Sequence, residues 1–555
     1  MTRYAIPLLG LAWAASCATG EVPSARFANA PAVTRVDDRR DVPDKPSERE
    51  FIHSLYHYDG VVQRRLSRAL ELPRTRRALG VNALDEVPDS TWFTNRIGVR
   101  ELTPDEVRRG PVQVGSPEAH RPWMIHSTKT GGSEPGFMIS DARGKKFLLK
   151  LDMAAFPEQL TATHVIVGRL LWACGFNVTE DHVVYFRPDD LVIAADAVGK
   201  DVFGDKHPLR RDEVEAVLAR VAVEPDGRLR GMASLWLDGK PLGGPPAEGV
   251  RDDDPNDRIP HQLRRDLRGA YAIFAWLDHV DVQESNFLDM WVKEGDRHYV
   301  KHYLLDFGKA LGVMNTTGIN PRHGREYVID FAAIARSLVT AGAMKRPWEG
   351  REPSPLRGVG MFEADGFDPG AWKPDSPAYV PFLTADRFDK FWGARIVIRF
   401  TREQIRAAVD AGRLSDPRAA DYLTDTLIAR QRATARYWFA RVNPLDRFAA
   451  ASSETGAILC FDDLALVHQL DDAAATQYRV STYDNGVQPL GPVTVVRPDA
   501  AGHACTGALP LAASSDGYTI VRVETVRPGF DRATFVHIAR DAASGAPRLI
   551  GIWRP

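Results

Sequence analysis

Apolar positions along the chain change their period several times, and each change marks an element. Between residues 47 and 79, Phe51, Leu55, Tyr58, Val61, Leu66 and Leu70 recur at helical spacing, which predicts one or two helices. From residue 122 to 152 the pattern shortens to strand-like runs at 123–126, 136–139 and 146–151. Turns rich in Gly and polar residues, at 130–135 and 141–144, separate them. A helical run then extends from Leu160 through Val165 and Leu170 to Trp172, bracketed by Pro157 and Gly175 in the usual order of helix termini. Strands are predicted at 182–186, 191–193 and 232–237, with a helix over 208–222. Residues 259–279 read as a helix with Leu263, Leu267, Tyr271 and Phe274 on one face. Runs at 286–291 and 299–305, joined by Glu294-Gly295-Asp296, predict a hairpin. Helices follow over 327–341 and, as an array, over 385–442, with a Pro/Gly/aromatic-rich loop at 348–382. Thr401 through Gln404 has the form of a helix start. Past Phe448 short β-type runs at 457–461, 477–481, 493–496, 518–523, 534–538 and 548–553 predict a separate all-β sandwich.

Length and composition support this division. At 555 residues the chain exceeds one ordinary core, so two or three domains are expected. Hydrophobic content of 44% and charged content of 26% are those of a globular protein, and a net charge of −2 argues against a nucleic-acid partner. Arg3, the apolar run 5–15 and Ala14-Ala15-Ser16-Cys17 have the anatomy of an export signal. The segment 1–17 resembles a bacterial lipoprotein signal, although Ala14 stands where Leu is more usual. That resemblance implies lipidation at Cys17 and an exported, membrane-anchored envelope protein, touching the membrane only through its N-terminal lipid. Residues 18–48, rich in Pro, Ala, Asp and Arg without periodicity, read as a flexible tether, and 49–120 as an N-terminal extension. Residues 85–93 run from a polar turn into aromatics and are expected to dock that extension. Cys174 falls in an apolar helix as a buried thiol. Cys460 and Cys505 fall in one region and are candidates for a disulfide in an oxidising compartment, a pairing that spacing alone does not prove.

The candidate chemistry is concentrated between Trp276 and Gly312. Asp281, Asn286 five residues on, a hairpin and then Asp306-Phe307-Gly308 offer a proton acceptor and two oxygen ligands for a hard cation beside a phosphate chain. Upstream, Gly131 and Gly132 sit in a turn whose backbone N–H groups can approach phosphate oxygens. Lys150 ends a strand and Glu158 precedes a helix, a pair that can aim an ammonium at phosphates. The acidic loop 252–257 reads as a solvated loop before it reads as a metal site.

In order and spacing these features resemble the protein-kinase-like fold over residues 121–447, with a small lobe to about 240 and a large lobe after it. The resemblance is to atypical members such as bacterial toxin kinases and spore-coat kinases. It implies a two-lobed α+β domain, ATP and Mg²⁺ as cofactors, and phosphotransfer to a protein or small-molecule hydroxyl. It assigns Asp281 as the base, Asn286 and Asp306 as metal ligands, and Lys150 with Glu158, Gly131 and Gly132 to the nucleotide. Val280 replaces the usual Arg before the base, which argues against control by a phosphorylated activation loop. No Ala-Pro-Glu motif follows, and the Gly-rich turn lacks the G-x-G-x-x-G spacing. Asp278 competes with Asp281 as base. Two rival readings stand beside phosphotransfer: a catalytically silent kinase-like scaffold, and a metal-dependent hydrolase built on His279, His298 and His302.

Overall fold

The computed structural model describes residues 22–50, 55, 58–67, 76–129, 134–200, 205–314, 321–346 and 348–555. They form two compact units: Ala32–Pro444 with Ala465–Asp471, and the described part of Met1–Pro31 with Leu445–Leu464 and Asp472–Pro555. The chain is mixed α+β, with a seven-stranded mixed sheet, a small three-stranded sheet and most of the helices in the larger unit, and separate antiparallel sheets in the smaller. Among the described residues no helix is long and apolar enough to cross a membrane.

In the larger unit helix α1 (Pro104–Arg109), which Thr103 caps from its side chain, precedes a seven-stranded sheet. Its strands are β1 (Trp123–Thr128), β2 (Gly136–Ser140), β3 (Lys146–Leu151), β4 (Asp181–Phe186), β5 (Leu191–Lys200), β6 (Lys206–Pro208) and β7 (Leu229–Leu235), in the order β4-β7-β3-β2-β1-β5-β6. β1 and β5 run parallel; the other pairings are antiparallel. Alternation puts Trp123, Ile125, Phe137, Ile139, Phe147 and Leu149 into one core. Gly136 lies opposite Lys150, and a Cβ there would meet the Leu149 carbonyl at 2.2 Å, so only glycine lets β2 and β3 approach. Helix α2 (Gln159–Cys174) follows β3, and α3 (Arg211–Leu218) lies between β6 and β7.

Helix α4 (Arg265–Leu277) is buried along its whole length and carries the chain to the candidate site. It packs against the helix Arg387–Val397, where Gly269 admits the Trp392 ring. A small sheet of β8 (Lys240–Pro241), β9 (Phe287–Glu294) and β10 (Arg297–Leu304) follows, with Gly295-Asp296 as the hairpin turn. Further helices of the larger unit are α5 (Phe331–Val339), α6 (Val380–Thr384), α7 (Arg387–Val397), α8 (Arg402–Ala411) and α9 (Pro417–Phe439). The smaller unit contains β11 (Leu445–Ser453), β12 (Gly456–Asp463), β13 (Gln477–Asp484), β14 (Thr494–Val496), β15 (His503–Cys505), β16 (Thr519–Arg527), β17 (Phe530–Arg540) and β18 (Pro547–Trp553). They pair as β11-β12-β15 and β14-β13-β16-β17-β18, and the Phe461 and Tyr478 rings meet at 4.9 Å between the two sheets. A disulfide joins Cys460 to Cys505 across β12 and β15. Cys174 is buried and free.

The tether expected over 18–48 is not loose where it is described. Residues 32–49 form a strap held by backbone pairs: Val36 N–H to the Asp89 carbonyl (2.9 Å), Val42 N–H to that of His298 (2.7 Å) and Arg49 N–H to that of Leu242 (2.8 Å). Asp38 accepts from both the N–H and the hydroxyl of Thr91. In the smaller unit Phe27 packs on Gly551 and on the His537 ring at 4.8 Å. A low-periodicity segment can still satisfy its backbone on neighbours, which composition does not report. Of the helices expected over 47–79, residues 51–54, 56–57 and 68–75 lie outside the described residues; within the described ones, a π-helical turn (Asp59–Gln63) runs into a short helix (Arg64–Ser67). Trp92 and Phe93 are buried, the former stacked on His302 and the latter against Phe176.

Candidate functional site

Lys150 sits near the end of β3 with only 4% of its surface exposed. Its ammonium donates to Asp306 Oδ1 at 2.7 Å and lies 3.3 Å from His164 Nε2. His164 Nε2 is also 3.3 Å from Asp306 Oδ1, and its Nδ1 is 3.2 Å from Asp181 Oδ2. Four elements thereby converge: β3, α2, β4 and the loop after β10. Burial alone would raise the Asp306 carboxyl, but the Lys150 ammonium and the His164 ring outweigh it and hold the group well below the usual range. Burial would lower Lys150, yet Asp306 and Glu134 raise it. Burial and Lys150 would both lower His164, and hydrogen bonds to Asp181 and Asp306 raise it instead. Asp306 keeps 39% of its side chain exposed, so it can exchange these partners for a ligand.

Glu158 does not join this cluster, which corrects the ion pair expected with Lys150. It occupies the N-cap position of α2 at φ 67°, fully buried, where it pairs with Arg357 at 2.6 Å and accepts from Ser415 N–H at 2.9 Å. Arg357 also pairs with Glu224 at 2.7 Å. Six residues separate Glu158 from His164, which is not a whole number of turns at about 3.6 residues each, so the two face different neighbours. His164 holds the place expected of Glu158.

The loop bearing Asp281 starts where α4 stops. Asp278 takes a left-handed conformation (φ 51°) as C-cap, and residues 279–286 lead into β9. Asn286 Nδ2 donates to the Asp281 carbonyl at 2.8 Å, while Leu305 N–H donates to the Asn286 carbonyl at 2.8 Å. The loop and the segment before Asp306 are thus fastened together. Asp306 is itself left-handed at φ 54°. Phe307 is fully buried, with its ring 5.5 Å from that of His164 and 5.9 Å from that of His279. Burial lowers the His279 ring to about 4, so it packs as a neutral group. Asp281 pairs with Lys309 at 3.2 Å, and Lys309 reaches Asp375 at 3.7 Å. Burial would lower Lys309, but Asp281 and Asp375 raise it.

Two cavities adjoin these groups. One, of about 440 Å³, is lined by Lys129, Lys150, His164, Asn286 and Asp306 together with apolar side chains such as Met232 and Leu288. The other, of about 480 Å³, has Asp281, Lys309 and Asp375 beside Val61, Val282 and Ile329. Gly131 and Gly132 lie outside the described residues, as does Cys17. Lys129 and Glu134, which flank the Gly-rich turn, pair at 2.8 Å. Lys129, His164, Asp181 and Lys309 were not singled out in the sequence; His164 is a lone imidazole in an otherwise apolar stretch of α2, a signal that could have found it. A hard cation fits the donor set: Asn286 commits its Nδ2 to the Asp281 carbonyl, which leaves its oxygen, and Asp306 supplies an ionised carboxylate.

The histidine metal centre is corrected. His302 is buried and bonded to Asp289 at 2.6 Å under the stacked Trp92 ring, and His298 stacks on Trp291 at 4.4 Å. His279 Nδ1 faces the Lys309 carbonyl instead. Among the described residues the one His/Cys/Asp/Glu group close enough for an ion is Cys460, His503 and Cys505, whose sulfurs are already joined. The acidic loop is knitted to its own neighbours: Asp253 accepts from Ser47 and Asp257 pairs with His261 at 2.7 Å. Asp278, the competing base, is bonded to His323 and Trp372 and lines neither of the two cavities above.

No protein-family model matches the sequence, and no curated protein matches it. Among solved structures the chain is similar to the Golgi casein kinase with Mn/ADP bound (9% identity, TM-score 0.30, covering 57% of this chain and 71% of that one). It is also similar to the Helicobacter pylori proinflammatory kinase CtkA (11% identity, TM-score 0.28, covering 56% of this chain and 92% of that one).

Proposed function

We propose that the larger unit binds a nucleoside triphosphate, ATP by preference, with Mg²⁺ in the 440 Å³ cavity and transfers its γ-phosphoryl group to a hydroxyl. The observation that carries this reading is the Lys150–Asp306 pair on the cavity wall beside Asn286, the cation and carboxylate that such a ligand needs. Asn286 and Asp306 would hold the cation, which when bound screens the phosphate charge. Lys150, released from Asp306, would hold phosphate oxygens, with His164 keeping the carboxylate oriented. Asp281 would accept the acceptor hydroxyl's proton as its oxygen bonds to the γ-phosphorus and the bond to the β-phosphate oxygen breaks. Catalysis would rest on positioning and electrostatics. The acceptor, a protein or small molecule, would enter the cavity on which Asp281 lies, whose valine and isoleucine walls favour apolar groups around the hydroxyl.

The activity would lie at a bacterial envelope, a reading supported by the resemblance of residues 1–17 to an export signal ending at Cys17 and by the Cys460–Cys505 disulfide, which fits an oxidising compartment. A silent scaffold is the second reading, favoured by Lys309 neutralising Asp281 at 3.2 Å. Nucleotide binding with and without Mg²⁺, then phosphate transfer by wild type and Asp281→Ala, separates them. Phosphotransfer predicts that Asp281→Ala keeps nucleotide binding and loses about 10²–10⁴ in rate. Mg²⁺-dependent binding by a wild type without turnover would establish the scaffold.

A further inference from the structure

A third cavity, of about 260 Å³, shares no residue with the other two. Asp278, His323, Arg325, Trp348, Arg351 and Arg430 are on its wall. Most of their polar atoms are already engaged. Asp278 takes His323 Nδ1 at 3.0 Å and Trp372 Nε1 at 2.8 Å. Arg430 donates to the carbonyls of Ala275, Trp276 and Glu363 and lies over the Phe367 ring at 3.7 Å. Glu363 is held by Arg351 and lies 3.9 Å from Arg325, and Asp368 accepts the Gly370 and Ala371 N–H groups.

Two buried atoms on this wall have no hydrogen-bond partner among the described residues: His323 Nε2 and Trp348 Nε1. The His323 side chain is 1% exposed. Indole Nε1 only donates. His323 Nδ1 faces the Asp278 carboxylate at 3.0 Å; burial would lower the ring, but that carboxylate raises it, the direction that favours a proton on Nε2 as well. The unfilled capacity is therefore donor capacity, backed by the guanidinium groups of Arg325 and Arg351. Buried donors without partners are uncommon in folded chains, and a ligand that accepts from them removes the penalty.

We propose that this cavity binds a small oxyanion, a phosphate or carboxylate group, through His323 Nε2 and Trp348 Nε1. The site is independent of the phosphotransfer site, since neither Lys150 nor Asp306 reaches it.

The test titrates the full chain with inorganic phosphate and, separately, with succinate in low-chloride buffer, by calorimetry and intrinsic tryptophan fluorescence. Binding of either ligand identifies which oxyanion class the cavity takes. Trp348→Phe keeps the ring and removes the donor, and is expected to weaken binding roughly tenfold. Lys150→Met, which removes the cation of the nucleotide cavity, is expected to leave it unchanged. Arg351→Gln repeats the first arm should Trp348→Phe fail to fold. Absence of binding at millimolar concentrations, or loss in Lys150→Met with full retention in Trp348→Phe, would overturn the proposal.

Discussion

Two clusters in the larger unit join a histidine to carboxylates at similar distances and differ in what surrounds them. His302 bonds Asp289 at 2.6 Å, Arg251 reaches the same carboxylate at 3.3 Å, and Trp92 stacks on the imidazole at 3.6 Å. Asp289 has no exposed surface. His164 stands between Asp181 and Asp306, yet the latter carboxylate keeps 39% of its side chain exposed on a cavity of about 440 Å³. The closed cluster is saturated and can only hold the hairpin to the strap and extension. The open cluster has a carboxylate and an ammonium that pair with each other beside His164 and still line the cavity. Residue types alone do not separate a structural histidine from one at a site; the side left open does.

Breaking the closed cluster should have the largest effect on stability. Asp289→Ala strands Arg251 and His302 in a dry interior and is expected to cost about 3–5 kcal/mol, read as a lower urea midpoint at unchanged slope. Glu158→Gln sharpens the contrast from a third position. It loses the charge that meets Arg357 and is expected to cost about 1–3 kcal/mol while leaving nucleotide affinity alone. A drop in affinity equal to that of a Lys150 variant would instead restore Glu158 to the site. Asp306→Asn takes the charge from a carboxylate that is 39% exposed but leaves a carbonyl to accept from the buried Lys150 ammonium, so it is expected to cost about 1 kcal/mol. The smallest effect is on pH dependence. His164 is raised above 6.5, so its contribution is fully present below that value and is lost as pH climbs through the folded value. The melting-temperature difference between wild type and His164→Gln should accordingly shrink from pH 6 toward alkaline pH; a difference that grows would place the ring's proton elsewhere.

Much of this was legible because spacing carries it. Asp281, Asn286 and the Asp306-Phe307-Gly308 run need only a hairpin between them, and the alternation of 286–291 and 299–305 announced one. Lys150 was legible as the charged residue in an apolar strand. Glu158 was misplaced because its distance from Lys150 says nothing about helical phase: it caps α2 and turns toward Arg357, and His164 takes the inward position. The strap over 32–49 escaped because its backbone pairs with distant carbonyls and leaves no period. β11, with its run of Ala and Ser, and the three-residue β15 were too weakly patterned to be read as strands.

The proposed metal-dependent nucleotide site turns on the open cluster and its Asp306 carboxylate. Its most direct test is calorimetric titration of the full chain with ATP, with and without Mg²⁺, for wild type and Asp306→Asn. Mg²⁺-dependent binding by the wild type is expected, with a loss of about 100-fold in the variant. Equal binding by both proteins, or binding indifferent to Mg²⁺, would contradict it.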